Sequence, residues 1–119
     1  MEVRNRERAE AFTTLDGSTI RVLLDAELGG ASNQSLAEAT LAAGASTRRH
    51  YHGRAEEIYV VLASSGRMEV AGNARVVGPG DAVLIPPGEW HQIQADERGE
   101  LRFLCCCAPP YADGDTFFE

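Results

Sequence analysis

No apolar stretch in this 119-residue chain approaches the roughly 20 residues that a membrane-spanning helix needs. The N-terminus is charged and lacks the apolar centre of a secretory signal, so the protein is expected to remain in the cytoplasm. Basic residues form no long run: Arg4, Arg6 and Arg8 are interleaved with Glu2, Glu7 and Glu10, and Arg48-Arg49 is only a pair. With a formal net charge of −7 the chain repels a phosphate backbone, and nucleic-acid binding is not expected. Cysteine is confined to Cys105, Cys106 and Cys107. Neighbouring side chains on a strand point to opposite faces, which disfavours disulfides among the three, and an odd clustered count fits a reducing compartment. Internal repeats and low-complexity linkers are also absent, and the length allows one hydrophobic core but not two.

Helical periodicity is nearly absent as well. Residues 1–10 are polar and read as a loosely held arm or short helix. Ala11–Leu15 and Thr19–Leu24 flank Asp16-Gly17 as a β-hairpin. Ser35–Leu41 suits helix or strand by composition, and its length between loops favours a strand. Short strands follow at 57–63, 67–70, 74–77, 82–85 and 90–93, punctuated by turns at Ser64-Ser65-Gly66, Gly72-Asn73, Gly78-Pro79-Gly80 and Pro86-Pro87-Gly88. Leu101–Cys107 reads as the last strand, and Tyr111, Phe117 and Phe118 of the acidic tail are expected to dock on the body. About ten short strands with glycine-rich turns predict an all-β sandwich or barrel.

Histidine occurs three times, at His50, His52 and His91. His50 and His52 are two apart, so on a strand both rings leave the same face, roughly 6.5 to 7 Å apart, and can converge on one ion. Glu57 opens the next apolar run and brings a carboxylate to the mouth of that surface. Buried without a partner it would cost several kcal/mol, which a cation or a proton removes. Glu56 competes for the same role, and strand parity favours Glu57. The Pro86-Pro87-Gly88 corner fixes where the following strand begins and so aims His91. Imidazoles and a carboxylate delivered in this way are the makings of a metal site.

Together these two stretches resemble the paired motifs of the cupin superfamily. Gly44, His50, His52, Glu57 and Gly66 match the first motif, and Gly80, Pro86, Gly88 and His91 match the second. The asparagine usual four residues past the second-motif histidine is Ala95, a departure expected to touch a turn. The similarity spans about residues 34–107 and is to the small single-domain microbial members. It implies a double-stranded β-helix, or jelly-roll barrel, with residues 1–33 as an arm and hairpin packing on it and residues 34–119 as barrel and tail. It also implies His50, His52, Glu57 and His91 as ligands of one divalent metal (Fe, Mn, Ni, Co or Zn), and a homodimer.

A mononuclear metalloenzyme of dioxygenase, isomerase or decarboxylase type, acting on a small organic molecule, is the leading expectation. The alternative is a metal- or small-ligand-binding protein with an accessory role and no turnover. Tyr59 and Glu57 are the candidates for proton transfer. Arg48 shares the parity of His50 and His52 and is a candidate to hold a substrate carboxylate at the barrel mouth. Cys105 and Cys107 share an inward face with Leu101 and Phe103 and are expected to be small apolar filler. Trp90 is expected to face away from His91 in a structural role.

Overall fold

The computed structural model describes residues 1–119 and contains eleven strands and two 3-10 turns. The strands are β1 (Ala11–Thr13), β2 (Thr19–Leu24), β3 (Ser35–Leu41), β4 (His50–His52), β5 (Glu56–Ala63) and β6 (Gly66–Val70). They continue with β7 (Asn73–Val77), β8 (Ala82–Ile85), β9 (His91–Ala95), β10 (Leu101–Ala108) and β11 (Thr116–Phe118). One sheet runs β1-β2-β3-β10-β5-β8 and the other β11-β4-β9-β6-β7, with every pairing antiparallel. From β3 onward the chain crosses between sheets at nearly every connection, the β6–β7 hairpin excepted. This is the expected all-β jelly roll.

Period-2 patterning decides what faces inward. On β5, Glu57, Tyr59 and Val61 are buried while Glu56, Ile58 and Leu62 are exposed. The core joins Tyr59, Val61, Leu101 and Phe103 of one sheet to Met68 and Ile93 of the other. Truncating the fully buried Phe103 to alanine would cost about 3–5 kcal/mol. No helix is long and apolar enough to cross a membrane.

Two motif glycines have physical reasons. A Cβ at Gly66 would lie 2.6 Å from the carbonyl oxygen of Gln94, so the close approach of β6 to β9 requires glycine. Gly88 adopts φ +80° in the Pro-Pro-Gly corner, and its N–H donates to the His52 carbonyl at 2.7 Å. That bond ties the second motif directly to the first.

Several sequence expectations need correction. The β6–β7 turn is centred on Ala71-Gly72, with φ of +52° and +82°, and Asn73 already belongs to β7. Ala95 lies in the core at the end of β9, opposite Gly66, not in a turn. β10 is not the last strand, because β11 pairs with β4 from Thr116↔His52 to Phe118↔His50. The N-terminal arm is pinned, not loose. Its 3-10 turn (Arg6–Arg8) places Arg6 Nε 2.9 and 3.0 Å from the two oxygens of Glu38, a β3 carboxylate buried on the outer face. Arg102 adds a longer contact to Glu38 at 3.4 Å. The β1–β2 hairpin continues the larger sheet through β2–β3 pairing.

Candidate metal centre

The short strand β4 presents His50 and His52 inward, and β9 begins with His91 directly opposite His50. Glu57 reaches the same point from β5, which lies in the facing sheet, so the four groups meet between the two sheets. All four are buried, with exposures of 0–4%. One nitrogen from each imidazole lies within 4.8 Å of the others.

Hydrogen bonds fix each ring from behind. His50 Nδ1 donates to the Arg48 carbonyl at 2.6 Å, and His91 Nδ1 donates to the Glu89 carbonyl at 3.1 Å. His52 Nδ1 lies 3.1 Å from Thr116 Oγ1, whose own hydroxyl donates to the Ala112 carbonyl, leaving Thr116 as acceptor. Each Nδ1 therefore carries its proton, and in the neutral imidazole each Nε2 is a bare lone pair. This back-side arrangement is the one that metal-binding histidines use.

The front side is short of protons. His52 Nε2 is 3.1 Å and His91 Nε2 3.5 Å from Glu57 Oε1, and His91 Nε2 has no hydrogen-bond partner at all. Burial pushes the Glu57 carboxyl up, but the closeness of His52 and His91 outweighs this and brings it down to about 2. Burial, and next the closeness of His91, pushes His50 below its usual range and keeps it neutral. The cluster thus asks for positive charge at one point. A proton on His52 Nε2 would serve Glu57 alone, whereas one divalent cation would engage the three lone pairs and the carboxylate together. The donor set fits such an ion.

The remaining candidates divide. Glu56 points outward and is exposed, so parity chose correctly. Tyr59 is buried beside Phe103 (ring centroids 4.6 Å) and lines the same cavity. Arg48 does not reach that cavity. Its guanidinium stacks 4.2 Å above the Phe118 ring, and residue 48 serves the cluster through its carbonyl. Trp90 packs on Tyr51, away from the cluster, as expected. Cys107 is more than filler, since its thiol donates to Glu57 Oε2 at 3.0 Å. Burial, then the Glu57 charge, raises that thiol and keeps it protonated. All three cysteines are free.

Sequence reasoning missed the tail's part in the site. Thr116 holds His52, and the Tyr111 ring packs edge-on against it at 5.8 Å. The only sequence signal was the aromatic content of the tail. Beside the cluster lies a cavity of about 100 Å³, bounded by β2, β3, β10 and the tail, with Ile20, Ala39, Phe103 and Tyr111 among its walls.

A two-sheet antiparallel barrel with a buried imidazole–carboxylate cluster between its sheets defines a jelly roll with an enclosed polar cluster. The chain belongs to the cupin family, whose Cupin domain model matches residues 37–107. It is 38% identical over 110 residues to an uncharacterized protein of Methanocaldococcus jannaschii, covering 92% of this chain and 88% of that one. Among solved structures it is similar to the polyketide cyclase RemF of Streptomyces resistomycificus, with TM-score 0.79 and 26% identity over 97% of this chain and 89% of that one. A Streptomyces Pac13 structure with uridine matches with TM-score 0.81 and 16% identity over 100% and 90% of the two chains. Pac13 is described as a nucleoside dehydratase.

Proposed function

We propose that this cupin holds one divalent transition-metal ion through His50, His52, His91 and Glu57 and acts as a metal-dependent enzyme on a small organic molecule. The observation that carries the reading is the convergence of three back-bonded imidazoles on a buried carboxylate, with His91 Nε2 unpartnered. Iron, manganese, nickel, cobalt and zinc all suit such donors. When bound, the ion would supply Lewis acidity or redox capacity, which admits dioxygenation, isomerisation or decarboxylation. Enzymes among the fold neighbours, the cyclase and the dehydratase, favour turnover over binding alone.

The chain's own groups take distinct parts in this reading. The Arg48 and Glu89 carbonyls and the Thr116 hydroxyl orient the three rings. Glu57, brought down to about 2, is suited to be a ligand and is a weak base. Burial, and next the Glu57 charge, raise the Tyr59 phenol well above its usual value, so Tyr59 keeps its proton and can donate to a bound molecule. The chain contains no lysine, so Schiff-base chemistry has no nucleophile here.

Elemental analysis of untagged protein purified without chelators, beside His91→Ala, tests the proposal. About one metal per chain in the parent and none in the variant is expected, followed by oxygen-uptake and turnover assays. A parent that takes up none of a series of divalent ions would sink it. The exposed Ile58, Leu62 and Leu84 on the outer face of the larger sheet support a homodimer, which light scattering would reveal as twice the 12.8 kDa chain mass. Three free thiols support a cytoplasmic setting, and a disulfide-linked form isolated from cells would count against it.

A further inference from the structure

We infer that the cavity beside the cluster takes an uncharged or cationic small molecule with an apolar body, and excludes carboxylates and other anions. The inference rests on the reading of the cluster as a metal site. Three carboxylates line the cavity, Asp16, Asp25 and Glu57, and no arginine does. Arg48, which shares the parity of His50 and His52, stacks on Phe118 instead. Three carboxylates outweigh one divalent ion, so the loaded cavity remains negative, and an incoming anion would meet like charge.

Two of these carboxylates also have acceptor capacity to spare. Asp16 Oδ1 accepts from the Ser18 amide and hydroxyl at 2.8 and 2.6 Å, and Asp25 Oδ1 accepts from the Glu27 and Leu28 amides at 2.9 and 2.7 Å. The second oxygen of each makes no hydrogen bond within the chain. A ligand that complements them carries donors: a hydroxyl, an amide N–H or an amidinium. Much of the remaining lining, with Phe12, Ile20, Val22, Ala37 and Phe103, is apolar and calls for a hydrocarbon body. Size adds a limit. A dry cavity of about 150 Å³ holds benzene, so about 100 Å³ beside the cluster calls for a body smaller than benzene, a chain of a few carbons.

A charge series of one shape tests this: propionamide, propionamidine and propionate, with oxalate as a small dianion, each titrated calorimetrically into the zinc-loaded full chain. Zinc content is measured first on the same sample. A chain that takes no zinc sinks the metal reading, whereas zinc uptake with the wrong charge preference sinks only this inference. Propionamide and propionamidine are expected to bind at least ~10-fold more tightly than propionate or oxalate. Asp16→Asn combined with Asp25→Asn is expected to close most of that gap. Propionate or oxalate binding as tightly as propionamide, no binding by any member, or an unchanged gap in the double variant overturns the inference.

Discussion

Two glutamates are buried in this barrel to nearly the same degree, Glu38 on the outer face of β3 and Glu57 on the inner face of β5. Glu38 is met by cations the chain itself supplies, Arg6 at 2.9 Å and Arg102 at 3.4 Å. Glu57 is met by two imidazoles and a thiol, none with a permanent charge. The first site is complete as folded. The second, on the function proposed above, is complete only when positive charge arrives from outside the chain. The same side chain therefore serves as a structural tie in one sheet position and as a waiting donor in another, and its neighbours decide which.

The comparison breaks most sharply at alkaline pH. Around Glu57 the buried acids Tyr59 and Cys107 are held neutral, both first by burial and then by the Glu57 charge. Their folded pKa values lie above the unfolded ones, so the folded chain keeps protons that the unfolded chain loses. The stabilisation is fully present below the unfolded values, about 8.5 for cysteine and about 10 for tyrosine, and is lost as pH climbs from there towards the folded values. Each group contributes a fall of about 1.4 kcal/mol per pH unit in the metal-free protein. Denaturant titrations between pH 8 and 11 check this, and a flat profile would mean that the inner acids are not sequestered.

Next in size are the paired substitutions. Glu57→Gln should lower zinc affinity by at least ~100-fold while leaving the N-terminal arm protected from protease. Glu38→Gln should do the opposite, leaving zinc uptake unchanged but lowering Tm and exposing the N-terminal arm to protease. Calorimetric zinc titration and thermal melts on both variants read this directly, and a parallel response would erase the distinction. Smaller still, Thr116→Val removes the acceptor behind His52 and should weaken zinc binding ~10-fold without a comparable loss of stability. An unchanged zinc affinity in that variant would mean that the tail only covers the site.

Much of the site was legible because its logic is local. The two-residue spacing of His50 and His52, the parity that separates Glu57 from Glu56, and the corner before His91 all act within a few residues along a strand. Strand positions were legible for the same reason. What escaped notice depends on partners far away in sequence. Thr116 meets His52 across 64 positions, Cys107 meets Glu57 across 50, and Arg6 meets Glu38 across 32. Arg48 had the right parity and the wrong neighbour, because the Phe118 that captures it lies on a strand the sequence did not reveal. Nor could spacing reveal that His52 and Glu57, five residues apart, belong to opposite sheets.

The position of β10 between β3 and β5 has a consequence in time. During synthesis β3 and β5 emerge early, each with an open edge, and neither can close on the other until residues 101–108 leave the ribosome and slot between them. Pairings this distant in sequence form slowly, because a long loop must close before any contact rewards it. The imidazoles of β4 wait longer still for the tail strand that backs them. A nascent chain stalled before residue 101 would therefore carry two open sheet edges and a His52 without its Thr116 support, which marks it as prey for chaperones and proteases.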